Sequence, residues 1–371
     1  MSSAAATGAG RALAELGPRT VRACGPVVIA LLVGAVVLLA SGKNPGTVYN
    51  LFLQEAFGSG TSFANTLAAA TPLLLTGVGS AICFRAGFFN VGLEGSLYVG
   101  ALTSAWVAAS GTTIAGPLLT VLALLAGIAG GTAWMLVPAL LRVLLSIDEM
   151  VTTLMLNYVA IGLTSYIVLY HYQYGSNGNG QTPPIIDQAA LTPLVSGTTL
   201  NVGIFIAVAA VVGYGWLLRY TRLGYRIRTI GDSPVFAQAI GISVKRVAAT
   251  TILIGGGAAG LAGSLVVLGV TDNFTIGFST APGLGYTGIA VAVMARNSWI
   301  GIILSAVFFG ALSSGGGLVQ LFGNVPIALT QILQGTLMIF ASVTVVLWRI
   351  RAGRKRAASR ERPVASVGAG V

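Results

Sequence analysis

The sequence predicts an all-α polytopic membrane protein of about ten transmembrane helices, and three observations carry that expectation. Of 371 residues, 55% are hydrophobic and only 8% are charged, against a usual charged share of about 25%. The apolar residues fall in runs suited to a hydrocarbon core of about 30 Å. The basic residues segregate to alternate connections between those runs. A soluble fold of this size lacks the charge to cover its surface, and disordered chains are polar and charged rather than apolar.

In chain order, the runs lie at 24–41, 61–84, 91–110, 114–141, 149–170, 201–218, 247–270, 284–297, 299–315 and 326–348. Pro72 lies inside the second and is expected to kink or break it. Gly255, Gly256 and Gly257 are expected to interrupt the seventh. The eighth is too short to cross as a lone straight helix.

Placing the N-terminus in the cytoplasm sends every Lys and Arg except Lys43 to the inner side. That distribution reads the net charge of +11 as a positive-inside signal rather than a nucleic-acid site. Both termini are then cytoplasmic. Residues 1–23 form an inner N-terminal segment, 24–348 the membrane domain, and 349–371 a basic tail that lies against anionic lipid. Arg11, Arg19 and Arg22 before the run Pro26–Ala40 also resemble a signal peptide, although the small-x-small cleavage pattern is missing. The longest outer loop, 171–200, has no Lys or Arg and is expected to cap the outer mouth.

About ten runs divide into two sets of five, and an odd number per half gives two halves of opposite orientation. A short echo supports that division. Gly87-Phe88-Phe89-Asn90-Val91-Gly92-Leu93 precedes the third run, and Gly277-Phe278-Ser279-Thr280-Ala281-Pro282-Gly283-Leu284 precedes the eighth.

Chemistry-bearing residues are few. His171 is the sole histidine, and Cys24 and Cys83 are the only cysteines, which excludes a zinc site of Cys and His. A phosphate loop needs G-x-x-x-x-G-K-[ST], and Lys43, Lys245 and Lys355 all lack that context. The chain therefore binds no nucleotide by that motif. Glu94 stands out in an apolar stretch, and an intramembrane carboxylate is costly without a partner or a task. Two readings stay open: a salt bridge with Arg85, or a role in a gate or solute path. Asn90 and Asn157 are read either as interhelical links or as solute contacts. Asp148 and Glu149 are placed to pair with Arg142.

The inner loop 219–246 holds the most informative stretch, TRLGYRIRTIGDSPVFAQAIGISVKRV from Thr221 to Val247. Asp232 or Ser233 is suited to cap a helix, with Pro234 in its first turn. The helix would run about Val235–Ile240, with Gly241 at the C′ position. So short a helix needs a partner surface.

This loop resembles the coupling motif of ABC-importer permeases of the simple-sugar, nucleoside and branched-chain amino acid group. Thr221, Gly224, Arg228, Gly231, Ala237, Gly241 and Ile242 match it. Asp232 stands where Asn is usual, and Ala237-Gln238-Ala239 replaces two adjacent alanines. FRAGFFNVGLEGSLYVG (Phe84–Gly100), EMVTTLMLNY (Glu149–Tyr158) and the stretch from Gly285 through Ala295-Arg296-Asn297 to Gly310 are similar to further segments of the group. Ser96 stands where Gln is common.

The resemblance is strongest to the larger permease of nucleoside importers that use basic-membrane-lipoprotein-type binding proteins. It implies a non-enzymatic transport subunit of a bacterial cell membrane, translocating a nucleoside or simple sugar. It implies a second similar permease, two ATPase domains that use ATP at the inner face, and an extracytoplasmic lipoprotein. It assigns ATPase coupling to Arg228, Gly231, Asp232, Ser233, Ala237 and Gly241, with Asn90, Glu94 and Asn157 as candidates for the path or gate. An ion-coupled secondary transporter with five-plus-five inverted repeats also explains broken spans. It predicts deep coupling carboxylates, of which only Glu94 is present. An intramembrane enzyme would need His171 or paired aspartates.

Overall fold

The computed structural model describes residues 31–111, 114–172, 180–279, 283–323, 331–332 and 335–336. Nearly all of the expected final run 326–348 and the whole tail 349–371 lie outside them, as do 1–30. The described residues are mainly helical, and their extended pairing is limited to two isolated bridges, Gln181 with Thr275 and Pro193 with Asn201.

The helices are α1 (Leu31–Ala40), α2 (Pro45–Phe57), α3 (Gly60–Arg85), α4 (Leu93–Ser110), α5 (Gly116–Trp134), α6 (Leu136–Leu140) and α7 (Glu149–Ile167). They continue with α8 (Gly203–Tyr220), α9 (Arg222–Asp232), α10 (Pro234–Ala239), α11 (Val244–Val266), α12 (Leu284–Met294) and α13 (Trp299–Gly323). Among the described residues, six helical segments are long and apolar enough to cross a membrane: Gly60–Arg85, Gly116–Leu145, Glu149–Tyr172, Gly203–Tyr220, Val244–Thr271 and Trp299–Gly317. The protein is a multi-pass, all-α membrane protein.

α3 and α11 form the centre. Most of each is buried inside the protein, whereas α5, α7 and α8 leave much of their length exposed. Their outward residues, such as Leu125, Val159 and Val212, suit lipid. α3 opens on Ser59, whose hydroxyl oxygen accepts from the Ser62 amide at 3.0 Å. Pro72 does not end it, and the helix runs through to Arg85. Thr76 donates its hydroxyl to the Pro72 carbonyl at 3.1 Å, and the carbonyl that the proline ring leaves without its helical donor is that of Ala68.

The three glycines of the seventh run likewise do not interrupt α11. They are contact points. A side-chain carbon added at Gly255 would lie 3.0 Å from the Gly79 carbonyl of α3, and one at Gly131 of α5 would lie 2.8 Å from Gly260 of α11. Gly100 of α4 meets Gly260 even more closely. Inside a membrane, helix association depends on such close backbone approach, because lipid is as apolar as leucine. Helix propensity lost at glycine is outweighed by packing from both sides.

Two features were unexpected. α2 occupies a connection read as loop. Asn44 caps it, accepting from the Gly46 amide at 2.9 Å, and Pro45 takes the first position, a pairing that favours helix initiation. α9 occupies the first half of the 219–246 loop. Thr221 caps it, accepting from the Gly224 amide at 3.0 Å, while Gly224, Ile227 and Ile230 turn one face inward.

Arg85, Arg142 and Lys245 lie at one end of the bundle, here the basic end. Residues 180–202 cover the other, here the loop end. The loop is stitched down by backbone: Thr182 N to Phe274 O at 2.9 Å, Ile185 N to Asp272 O at 2.8 Å and Leu191 N to Leu268 O at 2.7 Å. Thr182 also accepts from the Phe274 amide at 3.0 Å.

Candidate functional site

Two constellations stand out, one at the basic end and one in the bundle interior.

At the basic end, α9 and α10 form an elbow. Gly231 packs directly on the Arg85 carbonyl, with no room for a side chain. Arg85 and Asp232 approach to 3.7 Å, but both are well exposed, so the pair contributes little. Arg228 keeps its Nε buried without a hydrogen bond among the described residues. Ser233 is extended, at φ −160°, and its hydroxyl oxygen accepts from the Phe236 amide at 3.3 Å. Of the two candidate caps, Ser233 is the one used, and Asp232 ends α9 instead.

The far end of α10 closes in a Schellman motif. Gly241 donates to the Gln238 carbonyl at 3.0 Å and Ile242 to the Ala237 carbonyl at 2.9 Å. Gly241 sits at φ +81°, the left-handed conformation this motif requires. Ala237 is fully buried, while Val235 is 79%, Phe236 56% and Ile240 46% exposed. A six-residue helix is thus held rigid at both ends and presents three large apolar side chains outward. Also at the basic end, Arg142 Nε lies 3.2 Å from Glu149 Oε2, without hydrogen-bond alignment. Asp148 caps α7 instead of pairing, accepting from the Met150 amide at 2.8 Å.

In the interior, the first turns of α4 and α12 meet. Each helix follows a non-helical lead-in with a glycine in the left-handed region, Gly87 at φ +84° and Gly277 at φ +76°. Glu94 of α4 accepts from the Gly285 amide of α12 at 2.6 Å, and the Ser279 hydroxyl and Tyr286 amide also address its carboxylate. Ser279 in turn accepts from the Leu284 amide at 2.8 Å. A carboxylate at a helix N-terminus satisfies unpaired amides and the positive end of the dipole together. The expected Glu94–Arg85 salt bridge is absent: Arg85 faces Asp232, and the buried charge is met by backbone amides.

Asn157 of α7 accepts from the Gly95 amide at 2.8 Å and donates to the Val91 carbonyl at 2.9 Å and to Tyr286 at 3.1 Å. Asn90 accepts from the Gly92 amide at 2.9 Å and reaches Cys83 Sγ at 3.7 Å. Thr153 accepts from the Val91 amide at 3.2 Å. These side chains supply the bonds that the non-helical stretch before α4 cannot make for itself. Sequence reasoning missed Tyr286, Ser279 and Thr153. Thr153 stood inside the EMVTTLMLNY segment, whereas nothing in the sequence tied Tyr286 or Ser279 to Glu94.

Comparison with known proteins adds identity. The family model described as "Branched-chain amino acid transport system / permease component" matches residues 62–342. A glucose ABC transporter permease protein of Haloferax volcanii is 34% identical, over 88% of this chain and 88% of the relative. A nucleoside ABC transporter permease protein of Lactococcus lactis subsp. cremoris is 31% identical, over 86% of this chain and 90% of the relative. A guanosine ABC transporter permease protein of Bacillus subtilis is 30% identical, over 85% and 91%. The chain belongs to this family and is a membrane-spanning permease subunit of an ATP-binding-cassette importer.

Proposed function

We propose that this permease imports a neutral nucleoside or simple sugar, paired with a second similar permease and driven by two ATPase domains docked on α10. An extracytoplasmic lipoprotein delivers the solute. The observation that carries the reading is the outward display of Val235, Phe236 and Ile240 on a helix too short to stand alone. Arg228, Gly231, Asp232, Ser233, Ala237 and Gly241 build and brace that helix. ATP is consumed by the partner subunits, and this chain transmits their movement. The substrate assignment draws on relatives named for glucose, nucleoside and guanosine transport.

The basic end is then cytoplasmic, together with both termini and the 349–371 tail, and the 180–202 loop faces outward. About ten spans are arranged as two inverted halves. The paired lead-ins before α4 and α12 support that arrangement: each carries a left-handed glycine, and the helices they open meet at Glu94 and Gly285. Glu94, Asn157 and Asn90 hold this crossing and set the geometry of the gate. Because their polar atoms already bond protein, their role in transport is positional.

Single cysteines at Val235 or Phe236, cross-linked to the co-expressed ATPase, test the docking. The expected result is a covalent permease–ATPase adduct from these positions and none from Val195, which lies in the loop at the other end. Equal cross-linking from Val195 overturns the assignment.

A further inference from the structure

Among the described residues, two cavities of about 480 Å³ that lie between helices differ in chemistry. One, between α3, α5, α8 and α11, is lined almost wholly by apolar side chains such as Val78, Ile254 and Leu261. The other lies at the loop end, between α3, α11, α12, α13 and the loop residues Thr199 and Asn201, and its wall mixes hydroxyls, amides and a ring.

The polar groups of that second wall divide into two sets. Asn201 is occupied, accepting from Gly203 and donating to the Gly269 carbonyl. Thr71 and Thr271 donate to backbone carbonyls. The side chains of Asn65, Thr199, Ser313 and Ser314 have no hydrogen-bond partner among the described residues, although the Thr199 carbonyl accepts from Asn201. Pro72 adds an acceptor, because its ring supplies no N–H to the Ala68 carbonyl four residues back, and both residues line the cavity. Asn65 and Ser314 are half-buried, and Thr199 and Ser313 are exposed. Their convergence on one cavity means that water or solute meets them there.

We infer that this cavity is a solute-binding subsite within the permease, shaped for an uncharged polyhydroxylated ligand of nucleoside or monosaccharide size. The inference rests on the transport reading above and specifies where this subunit holds its cargo. The volume falls in the range of small-molecule pockets, about 300–1,000 Å³. Unpartnered amide and hydroxyls offer both donors and acceptors, matching sugar hydroxyls. Phe278 contributes a ring to the wall and is itself stacked on Phe274 with centroids 5.2 Å apart. Among the described residues, no Lys, Arg, Asp or Glu lines the cavity, so a phosphate would be stripped of water there without a counter-charge. The site therefore takes nucleosides or sugars and refuses nucleotides.

Its position ties occupancy to the interior crossing. Phe278 and Leu284, both in the wall, flank Ser279 and Gly285, the residues that address Glu94. A solute in the cavity presses on the segment that carries the α4–α12 junction.

The test uses whole cells expressing the complete importer, with Cys24→Ser and Cys83→Ala as the parent and Asn65→Cys, Ser313→Cys or Ser314→Cys added singly. Labelling by a small hydrophilic methanethiosulfonate reagent is followed with adenosine, glucose or adenosine monophosphate present. The inference expects labelling at two or more positions. Adenosine or glucose at about ten times its half-saturating concentration should slow it about tenfold, since only the empty site reacts. Adenosine monophosphate should leave the rate unchanged. Protection by adenosine alone identifies a nucleoside site, and protection by glucose alone identifies a sugar site. No labelling at any position, or labelling that neither solute slows, overturns the subsite if the parent takes up solute. Protection by the nucleotide overturns the stated chemistry. A parent that imports neither solute overturns the transport reading, and the subsite falls with it.

Discussion

The carboxylate of Glu94, in the first turn of α4, accepts a 2.6 Å hydrogen bond from the amide of Gly285, in the first turn of α12. Two helix starts, far apart in sequence, thus share one buried charge. Replacing Glu94 by Ala leaves amides at the start of α12 unsatisfied, and a hydrogen bond to a charged group contributes about 1.5–3 kcal/mol. The Glu94→Ala protein should unfold at lower temperature in detergent and transport poorly. Glu94→Gln retains an acceptor oxygen and should keep most uptake. Thermal unfolding and uptake rate, read together, check this; a Gln variant as damaged as Ala would assign the negative charge itself a role.

Asn157 makes three hydrogen bonds, to Gly95, Val91 and Tyr286. Polar links between membrane helices average about 0.6 kcal/mol each, so Asn157→Leu should cost about 2 kcal/mol. As a positional residue it should lower the maximal rate and the unfolding midpoint together, with the half-saturating solute concentration little changed. A large rise in that concentration, at unchanged stability, would make Asn157 a solute contact.

Glycine positions separate packing from flexibility. A side chain at Gly260 or Gly131 collides with the backbone of a neighbouring helix, whereas Gly162 and Gly213 face open space. Gly260→Ala should cost about 1–3 kcal/mol through overpacking. Gly162→Ala should be neutral or stabilising by about 0.4–1 kcal/mol. Unfolding midpoints of the purified variants, or their monodispersity on gel filtration, give the comparison.

Coupling has its own signature. Ala237 is fully buried, and Gly241 adopts φ +81°. Gly241→Ala should cost about 1–2 kcal/mol of local stability, because left-handed backbone disfavours a side chain. Ala237→Arg and Gly241→Arg should abolish uptake and co-purification of the ATPase while the permease still inserts in the membrane. Normal uptake in either variant would remove α10 from the coupling path.

Much of the fold was readable because membrane helices are declared by composition and run length. The short helix at 234–239 was readable as well, since Ser233, Pro234 and Gly241 each encode a local backbone preference that tertiary contacts do not override. The interior was less legible. Glu94 and Arg85 are near in sequence, which invited a salt bridge, but the true partner, Gly285, is distant and contributes only a backbone amide. Gly255–Gly257 read as a break because glycine is a poor helix former; membrane packing instead places it where α11 touches α3 and α5. α9 was hidden because its apolar face is narrow, carried by Gly224, Ile227 and Ile230 amid arginines. The polar cavity was invisible, since its walls come from four helices and the connections around them, and its chemistry depends on which side chains lack partners.

Reconstitution into sealed vesicles tests the central claim most directly. Solute accumulation is measured with the permeases and the lipoprotein alone, and again with the ATPase subunits and ATP added. Accumulation only in the second case, abolished by a non-hydrolysable ATP analogue, is the predicted result. Uptake by this chain without the ATPase, driven by an ion gradient, would contradict it.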